Sequence, residues 1–406
     1  FFYSSFNLLS KILKSNKSSK KKYIVILDKI LNAKSLLKLI LINRNIFTAT
    51  NIYMQDNKFQ ISNKRSFKLI IKDEINSKFD HFIEYVNSRI IWLIPCSLFE
   101  KYSENIKIVQ KLNWPKDPSL IISSYSHMNN DIKKLYLSEC NDKGSKIIIY
   151  QHGGTYGTTL FSNFEDHELS IADNFLTWGW ENKKYNNIIK FQSLNFLQKK
   201  SLNKTHLKKD ILLSLMALPK FSNNLYSIPI GYNQLDKYFN DQIQLIKLLK
   251  QKFPNRLKIR LHPSDKLYEL NTPETWLKDL DCNFYDKKKS FSESLSSCKL
   301  IICTYNATTF LESIFKNIPT IIFWDTNYWE INRNAKEYFE ELLEVNVFHK
   351  DHLSLFNFLN KNYNQIDEWW FNKKTQKKIK SFCKNYANTS LNPIRDFSKI
   401  LNRINN

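Results

Sequence analysis

Glycine is scarce in this sequence. Only 6 of the 406 residues are glycine, and three of them stand together in QHGGTYG, residues 151–157, directly after the apolar run KIIIY. Glycine removes the side chain where a chain turns with positive φ or where a ligand approaches the backbone closely. The cluster therefore predicts a loop that bends sharply against something.

Cysteine pairs and metal-ligand spacings are missing as well. None of the six cysteines belongs to a CxxC pair, and several stand in apolar runs, as small hydrophobic residues do. A length of 406 residues can bury more than one core, which excludes a small disulfide scaffold. We expect a reduced, cytoplasmic setting. The cysteines are Cys96, Cys140, Cys282, Cys298, Cys303 and Cys383.

Long hydrophobic runs are also lacking. No apolar stretch approaches the ~20 residues that a transmembrane helix needs, and no signal peptide is evident. Hydrophobic residues nevertheless make up 42% of the chain and aromatic residues 14%, which is typical of folded domains.

Acidic residues are few relative to basic ones, and the formal net charge is +23. The excess is mostly lysine spread along the chain, so we expect no specific nucleic-acid binding. A basic surface attracts anionic lipids, nucleotide-sugars or acidic glycans, and peripheral contact with an anionic membrane at its inner face is a further expectation.

What the sequence has is a series of short apolar, β-branched runs separated by ~20 to 40 residues. Such runs are typical of parallel strands buried on both faces and joined by crossover helices. They predict an α/β fold with two similar halves. The predicted strands are at 23–27, 68–72, 89–94, 120–125 and 146–150 in the first half, and at 211–218, 256–261, 299–303 and 320–324 in the second.

Two further segments differ from this pattern. Residues 185–209 are polar and basic without a strand pattern, which predicts an interdomain linker. The tail from about residue 367 to 406 has an amphipathic helical pattern.

The first candidate site follows the run 146–150, where the end of a parallel strand is expected to face a ligand. His152 beside the glycines can act as a general base or donate a hydrogen bond. Glu165 and Glu168 in NFEDHELSIAD share one helix face, and either carboxylate can serve as a base. Metal binding by His152, His167 and these acids is the alternative, but the spacing matches no familiar signature, so we expect no metal.

A second loop, SSYSHMNND, follows the run 120–125. It places Ser126 and His127 at the strand end and Asn129, Asn130 or Asp131 at the start of the next helix. A simple capped turn explains it equally well.

Two motifs follow strands of the second half. In IRLHPSD, Pro263 ends the strand and presents His262, which can hydrogen-bond a phosphate. In CTYNATTFLE, four polar residues precede or begin a helix, where unpaired N–H groups favour an anion. Glu312, one turn further on, can accept from ribose hydroxyls. The four residues are Thr304, Asn306, Thr308 and Thr309.

Together, the order QHGGTYG, the paired glutamates, FLTWGW, HPSD and CTYNATTFLE with PTIIFW resembles transferases of bacterial surface-carbohydrate clusters. More distantly, it is similar to sialyl-, polysialyl- and Kdo-transferases and to CDP-glycerol glycerophosphotransferases. The resemblance covers roughly residues 118–330.

The resemblance implies a GT-B fold, in which two Rossmann-like domains with parallel sheets face a central cleft. We assign residues 1–195 to an acceptor-side domain, 196–380 to a donor domain and 381–406 to a helical tail. It further implies a metal-independent glycosyltransferase that needs no cofactor and uses a CMP-activated nonulosonic acid or Kdo-like donor with a surface-glycan or protein acceptor.

The resemblance also distributes the site residues. His262, Pro263, Thr304, Asn306, Thr308, Thr309 and Glu312 would bind the donor. Gln151, Gly153, Gly154, Ser126 and His127 would line the cleft. The D/E-D/E-G motif of some sialyltransferases is missing from this sequence, so the base stays open between His152 and Glu168, with Glu165 beside them.

Three alternative functions stay open. A polyol-phosphate transferase or a nucleotide-sugar epimerase would use the same fold. A basic protein that binds nucleic acid or a membrane surface would be of another class, supported by the net charge of +23 and by KSNKSSKKK near the start.

Overall fold

The computed structural model describes residues 7, 22–49, 80–194, 196, 209–220, 232–285 and 290–405. The chain forms two compact units. The first comprises the described residues up to Ile147 and the chain end from Leu401, and the second comprises Ile148–Ile400.

In the first unit, three parallel strands pair in the order β2-β1-β3. Ile24 of β1 lies opposite Ile46 on one side and Leu120 on the other. The elements are β1 (Ile24–Ile26), α1 (Ala33–Ile42), β2 (Ile46–Thr48), α2 (Asp80–Leu93), a 3-10 turn (Cys96–Leu98), α3 (Tyr102–Lys111), β3 (Leu120–Ser123), α4 (Ser126–Asn129) and α5 (Asp131–Asn141).

The second unit begins with a parallel ladder in the order β4-β5-β6. Its helices include a long amphipathic one between the strand series and several at the end of the chain. The elements up to residue 252 are β4 (Lys146–Tyr150), α6 (Asn163–Ile171), β5 (Asn174–Thr177), β6 (Ile188–Lys190), β7 (Asp210–Ser214) and α7 (Tyr232–Lys252).

A five-stranded parallel sheet in the order β11-β10-β9-β7-β8 forms the rest of the second unit. Its elements are β8 (Leu257–Arg260), α8 (Thr272–Thr275), α9 (Phe291–Ser297), β9 (Cys298–Cys303), α10 (Thr308–Phe315), β10 (Thr320–Phe323), α11 (Arg333–Glu344), β11 (Phe348–His349), α12 (His352–Asn362), a 3-10 turn (Tyr363–Gln365), α13 (Ile366–Phe371), α14 (Lys373–Tyr386) and α15 (Pro393–Asn405).

The core of this five-stranded sheet explains why its strands are apolar throughout. Ile302 of β9 and Ile321 of β10 belong to a buried cluster that also contains Leu245 of α7 and Leu355 of α12. Helices cover the sheet, so strand residues on either face are removed from water. A continuous apolar run, rather than an alternating one, is the sequence consequence.

The α/β prediction is confirmed, and seven of the predicted strands overlap an observed strand. They are those at 23–27, 120–125, 146–150, 211–218, 256–261, 299–303 and 320–324. The predicted strand at 68–72 lies outside the described residues. The predicted helical tail is confirmed by α13, α14 and α15.

One predicted strand is wrong, because residues 89–94 belong largely to α2, which begins at Asp80. Six apolar residues have no periodicity that separates a strand from a helix, and here the helical segment upstream decides. Strands β2, β5, β6 and β11, of two to four residues each, were not predicted. Strand β6 lies within 185–209, so the expectation of no strand there is wrong.

The two compact units are defined by how the chain packs, and they do not test the predicted domain boundaries. The predicted domains 1–195, 196–380 and 381–406 remain a prediction. All six cysteines lie within the described residues, and all are free thiols.

Candidate functional site

The loop after β4 is anchored by Gln151, which is buried. Its Nε2 donates to the carbonyl of Gly153 at 2.7 Å. Its Oε1 accepts from the backbone N of Trp178 and from Nε1 of Trp180, both at 2.8 Å. The WGW segment after β5 therefore holds the QHGG loop through a single amide side chain, and Gln151 has a positioning role that sequence reasoning did not assign.

His152 lies next to that anchor and forms a cluster with two partners. Its Nδ1 lies 2.9 Å from the Tyr156 hydroxyl and 3.6 Å from Oε1 of Glu168. The His152 side chain is 26% exposed, whereas that of Glu168 is completely buried. A partly accessible imidazole backed by a buried carboxylate is the arrangement of a base and the group that orients it. The two leading candidates for the base thus lie together, and Tyr156 joins them.

Glu165 lies on the same helix, α6, but faces a different partner. The helix begins at Ser162, whose hydroxyl accepts from the backbone N of Glu165 at 3.3 Å. Oε2 of Glu165 accepts from the backbone N of Gly157 at 2.7 Å. Burial raises the pKa of Glu165 to about 7, and the hydrogen bond from Gly157 only partly opposes this. The geometry makes Glu165 a support of the loop.

The glycine loop packs directly against the start of α10. The backbone N of Gly154 donates to Oγ1 of Thr308 at 3.1 Å. A Cβ on Gly154 would lie 2.7 Å from the carbonyl carbon of Ala307 and from the backbone N of Thr308, which leaves no room for a side chain.

The observed backbone changes the explanation for the two adjacent glycines. Neither Gly153 nor Gly154, both within the described residues, has a positive φ, whereas Gly157 does, at 71°. The group that approaches Gly154 closely is the chain's own helix terminus. The glycine is needed because two backbone segments 154 residues apart in the sequence meet there.

The polar residues around the start of α10 divide into two sets. Thr304 and Asn306 are fully buried and bind other protein groups. Oγ1 of Thr304 donates to the carbonyl of Ser214 at 2.9 Å, and Nδ2 of Asn306 donates to Oγ1 of Thr158 at 3.0 Å. These two side chains hold the strand end and the glycine loop, so their geometry is that of structural anchors.

The start of α10 offers its own backbone N–H groups as hydrogen-bond donors. The N-cap of α10 is Ala307, and among the described residues no side chain caps this helix terminus. The hydroxyl of Thr309 bonds to the hydroxyl of Tyr305, four residues back. Unpaired N–H groups in a first helical turn favour an anion through their partial positive charge.

His262 follows β8 at the same edge of the five-stranded sheet. Ser214 of β7 lies opposite Arg260 of β8 and Cys303 of β9, so the ends of β8 and β9 are two strand spacings, about 10 Å, apart. Nδ1 of His262 accepts from the backbone N of Ser264 at 3.2 Å. Burial lowers the pKa of His262, which favours the neutral ring with its proton on Nε2.

The neighbours of His262 shape the turn. Its ring stacks on Tyr268 with centroids 6.2 Å apart. Asp265 is buried and accepts from the backbone N of Thr272 at 3.2 Å. Pro263 is exposed. The HPSD motif is therefore a rigid turn that presents an imidazole N–H donor.

Glu312 lies one turn into α10. Its Oε1 is 3.7 Å from Nζ of Lys316, and the two side chains are only 13% and 4% exposed. The carboxylate is thus paired with a buried cation at the same helix.

The loop after β3 belongs to the first unit, and its backbone, including that of the predicted site residue Ser126, binds a carboxylate of the chain. Asp28, which follows β1, accepts from the backbone N of Ser124 at 2.7 Å, of Tyr125 at 3.1 Å and of Ser126 at 3.1 Å. Burial opposes its ionisation, but these hydrogen bonds lower the pKa of Asp28.

The other predicted site residue of that loop, His127, is buried. Nδ1 of His127 lies 2.9 Å from the hydroxyl of Ser123, and Asn130 caps α5 by accepting from the backbone N of Lys133. The capped-turn interpretation thus accounts for the contacts of Ser126 and His127. Sequence reasoning missed Asp28, although an acidic residue directly after an apolar run was a visible signal.

Within the described residues, no group of three or more histidine, cysteine or acidic side chains is arranged to hold a metal ion. In that same part of the chain, no helix has the length and hydropathy to cross a membrane.

Two parallel sheets joined by helices, one in each half of the chain, are the architecture of the GT-B class of folds. Among solved structures, S. aureus MnaA with UDP is similar, with a TM-score of 0.50 and 9% identity, covering 94% of this chain and 96% of that chain. The family model of the LIC12162 family transferases matches residues 2–401. The chain belongs to the LIC12162 transferase family.

Two further solved structures have TM-scores below 0.5 and add nothing to the fold assignment. The UDP-GlcNAc 2-epimerase of Methanocaldococcus jannaschii, solved with UDP-GlcNAc and UDP, has a TM-score of 0.46 and 12% identity, covering 95% of this chain and 100% of that chain. TarM has a TM-score of 0.43 and 11% identity, covering 74% of this chain and 57% of TarM. Among curated proteins, no sequence matches this one significantly.

The predictions of a GT-B fold and of a transferase are therefore confirmed. The finer resemblance to sialyl-, polysialyl- and Kdo-transferases remains a prediction.

Proposed function

We propose that this transferase is a glycosyltransferase that moves a sugar from a nucleotide donor to a glycan or protein acceptor. The observation that carries the proposal is the hydrogen bond from the backbone N of Gly154 to Oγ1 of Thr308. It joins the loop that bears His152 to the helix terminus after β9. A candidate base and a candidate phosphate site thus belong to one arrangement.

The leaving phosphate would be held at the start of α10. As the glycosidic bond breaks, negative charge develops on the phosphate, and preorganised donors stabilise it most. The first N–H groups of α10 and the hydroxyl of Thr308 are such donors. Nε2–H of His262 would be a further donor on the same sheet edge, and Glu312, which pairs with Lys316, would accept from a ribose hydroxyl.

The acceptor would be activated by His152. A proton on Nδ1, which lies 2.9 Å from the Tyr156 hydroxyl and 3.6 Å from Oε1 of Glu168, leaves the lone pair on Nε2, which would take the proton of an acceptor hydroxyl. Glu168 then stabilises the imidazolium across 3.6 Å. Glu165 supports the loop through Gly157 and takes no direct part.

For the donor we favour a CMP-activated acidic sugar, a nonulosonic acid or a Kdo-like sugar. The HP and Thr motifs support this choice by their resemblance to those of sialyl- and Kdo-transferases. A UDP-sugar is the competing donor, because MnaA, which is similar in fold, was solved with UDP. Polyol-phosphate transfer and epimerisation on the same fold are the alternative reactions.

The net charge of +23 supports a cytoplasmic enzyme with peripheral contact to an anionic membrane, where glycan acceptors are assembled. A nucleic-acid-binding protein is disfavoured. A protein that binds nucleic acid through its surface charge needs neither the Gly154 contact nor a histidine–glutamate pair.

A panel of CMP, CDP and UDP, read by thermal shift, tests the donor class. A nucleotide at 100 times its dissociation constant adds about 2.7 kcal/mol of stability, so the true ligand stands out. We expect CMP to stabilise most. Stabilisation by UDP alone would overturn the CMP assignment, and the absence of any nucleotide effect would overturn the glycosyltransferase proposal.

Transfer assays add two control arms. Conversion of a nucleotide-sugar into an epimeric sugar without any acceptor would indicate epimerisation. EDTA should leave transfer unchanged, because helix N–H groups and an imidazole supply the charge stabilisation. Recovery of an EDTA-treated enzyme only on addition of Mn²⁺ would contradict the metal-independent mechanism.

A further inference from the structure

Arg260 is a buried cation within IRLHPSD that has been given no role so far. It is the last residue of β8, two positions before His262, and only 8% of it is exposed. Its guanidinium carbon lies 5.8 Å from the ring centroid of Tyr285 and 5.7 Å from that of Phe291. Two aromatic rings thus restrict the side chain, which lowers the entropy lost when it binds an anion.

The position of Arg260 relates it to the proposed donor site. Through β7, it is aligned with Cys303, the last residue before the turn that leads into α10. Burial lowers the pKa of Arg260, while nearby groups, including Tyr305 of that turn and Glu312 of α10, act in the opposite direction. The guanidinium therefore lies within electrostatic reach of the segment that precedes and begins α10.

A buried guanidinium is suited to an oxyanion. Its planar set of N–H donors matches phosphate and carboxylate oxygens, often with two parallel hydrogen bonds. Away from bulk water, such charge-assisted bonds are stronger than at the surface.

We propose that Arg260 binds an oxyanion of the donor, either the nucleotide phosphate or the carboxylate of an acidic sugar. The inference rests on the proposed function and assigns Arg260 as a binding residue beside His262. The donor's charge then lies between a helix terminus on one strand end and a guanidinium two strands away.

The chain offers a matched control in Arg256. It precedes the same strand, and its guanidinium carbon lies 5.4 Å from the ring centroid of Tyr363. Arg256 and Arg260 are thus both stacked arginines, at opposite ends of β8. Only Arg260 lies at the carboxyl end, where ligands bind in open parallel sheets.

The test compares Arg260→Met and Arg256→Met in calorimetric titrations with cytidine, CMP and CMP-N-acetylneuraminic acid. If Arg260 binds the phosphate, R260M should weaken CMP about 10- to 100-fold and leave cytidine unchanged, as expected for a hydrogen bond to a charged group. If it binds the sugar carboxylate, only the CMP-sugar should weaken. R256M should change none of the three.

Equal losses for cytidine and CMP, equal effects of the two variants, or no change in R260M would each overturn the inference. Arg260→Lys keeps the charge but not the fork of donors, and it should weaken the same ligand about 3- to 10-fold even if R260M does not fold. No nucleotide binding by the wild type would instead overturn the proposed function itself.

Discussion

At the residue scale, the candidate chemistry centres on the imidazole of His152 and what surrounds it. Glu168 is completely buried behind the ring, and Tyr156 packs edge-on with ring centroids 5.2 Å apart. A buried carboxylate keeps an imidazole in one orientation and stabilises it once protonated. His152 is the member of the pair that solvent reaches.

Replacing His152 should therefore abolish most transfer. We expect His152→Ala to lower kcat/KM about 10²- to 10⁴-fold, the usual contribution of a general base. Glu168→Gln should lower it less, and should add almost nothing in the His152→Ala background, because the two act together. Steady-state kinetics with saturating donor measure all three effects.

His167 is the matched control, since it is an exposed histidine on the same helix as Glu168. His167→Ala should have nearly wild-type activity. If His152→Ala were as active as His167→Ala, the assignment of the base would be wrong.

At the element scale, the decisive contact is between the loop after β4 and the start of α10. The loop is also held further along: the backbone N of Leu160 donates to the carbonyl of Glu330 at 3.0 Å, and Thr159 bridges to Ile331. Several backbone bonds thus fix the loop beside the helix terminus, so its position depends on close packing.

Gly154→Ala should displace this loop. The new Cβ would lie 2.7 Å from helix backbone atoms, and neither backbone can move without breaking its own hydrogen bonds. We expect a loss of about 1–3 kcal/mol in stability, typical of overpacking. A shift of about 1 Å in the loop should lower kcat/KM by roughly 100-fold.

Gly153→Ala tests whether alanine in the loop is harmful in itself. Its Cβ would lie 3.8 Å from Tyr156 and 3.9 Å from Thr308, which are ordinary contacts. Unfolding curves and kinetics of the two variants should therefore differ clearly. Equal behaviour would show that the close approach to α10 is unimportant.

At the scale of the whole molecule, burial of Glu165 makes the free energy of unfolding depend on pH. Its pKa rises from an ordinary value of 4.5 to about 7 on folding, so between these values the folded state binds more protons than the unfolded state. Stability from this group is complete below pH 4.5 and is lost as the pH rises through about 7, by up to about 3 kcal/mol.

Glu165→Gln should remove that pH dependence. The amide has the shape of the protonated acid, and its oxygen can still accept from Gly157. We expect equal stability of variant and wild type at pH 4.5 and greater stability of the variant at pH 8, measured by denaturant unfolding. Glu337→Gln, on the exposed face of α11, controls for the loss of a charge. Parallel curves for wild type and E165Q would contradict the prediction.

The strands and motif loops could be predicted from sequence because their signals are local. An apolar run such as 299–303 must be buried on both faces, and a polar turn after it must lie at the sheet edge. The glycines of QHGG likewise predicted a close approach. The 89–94 segment failed because its apolar residues suit a helix as well as a strand.

The sequence by itself determined where strands end and which residue types follow them. Only the tertiary structure decided which of those residues bind other groups of the protein and which remain accessible to solvent. Thr304 and Asn306 bind the protein itself, through partners 90 and 148 residues away in the chain. Arg260 acquires its aromatic neighbours only when Phe291 packs beside β8. Hydrogen-bond partners and burial depend on segments distant in sequence, and a local pattern carries no information about their distance in space.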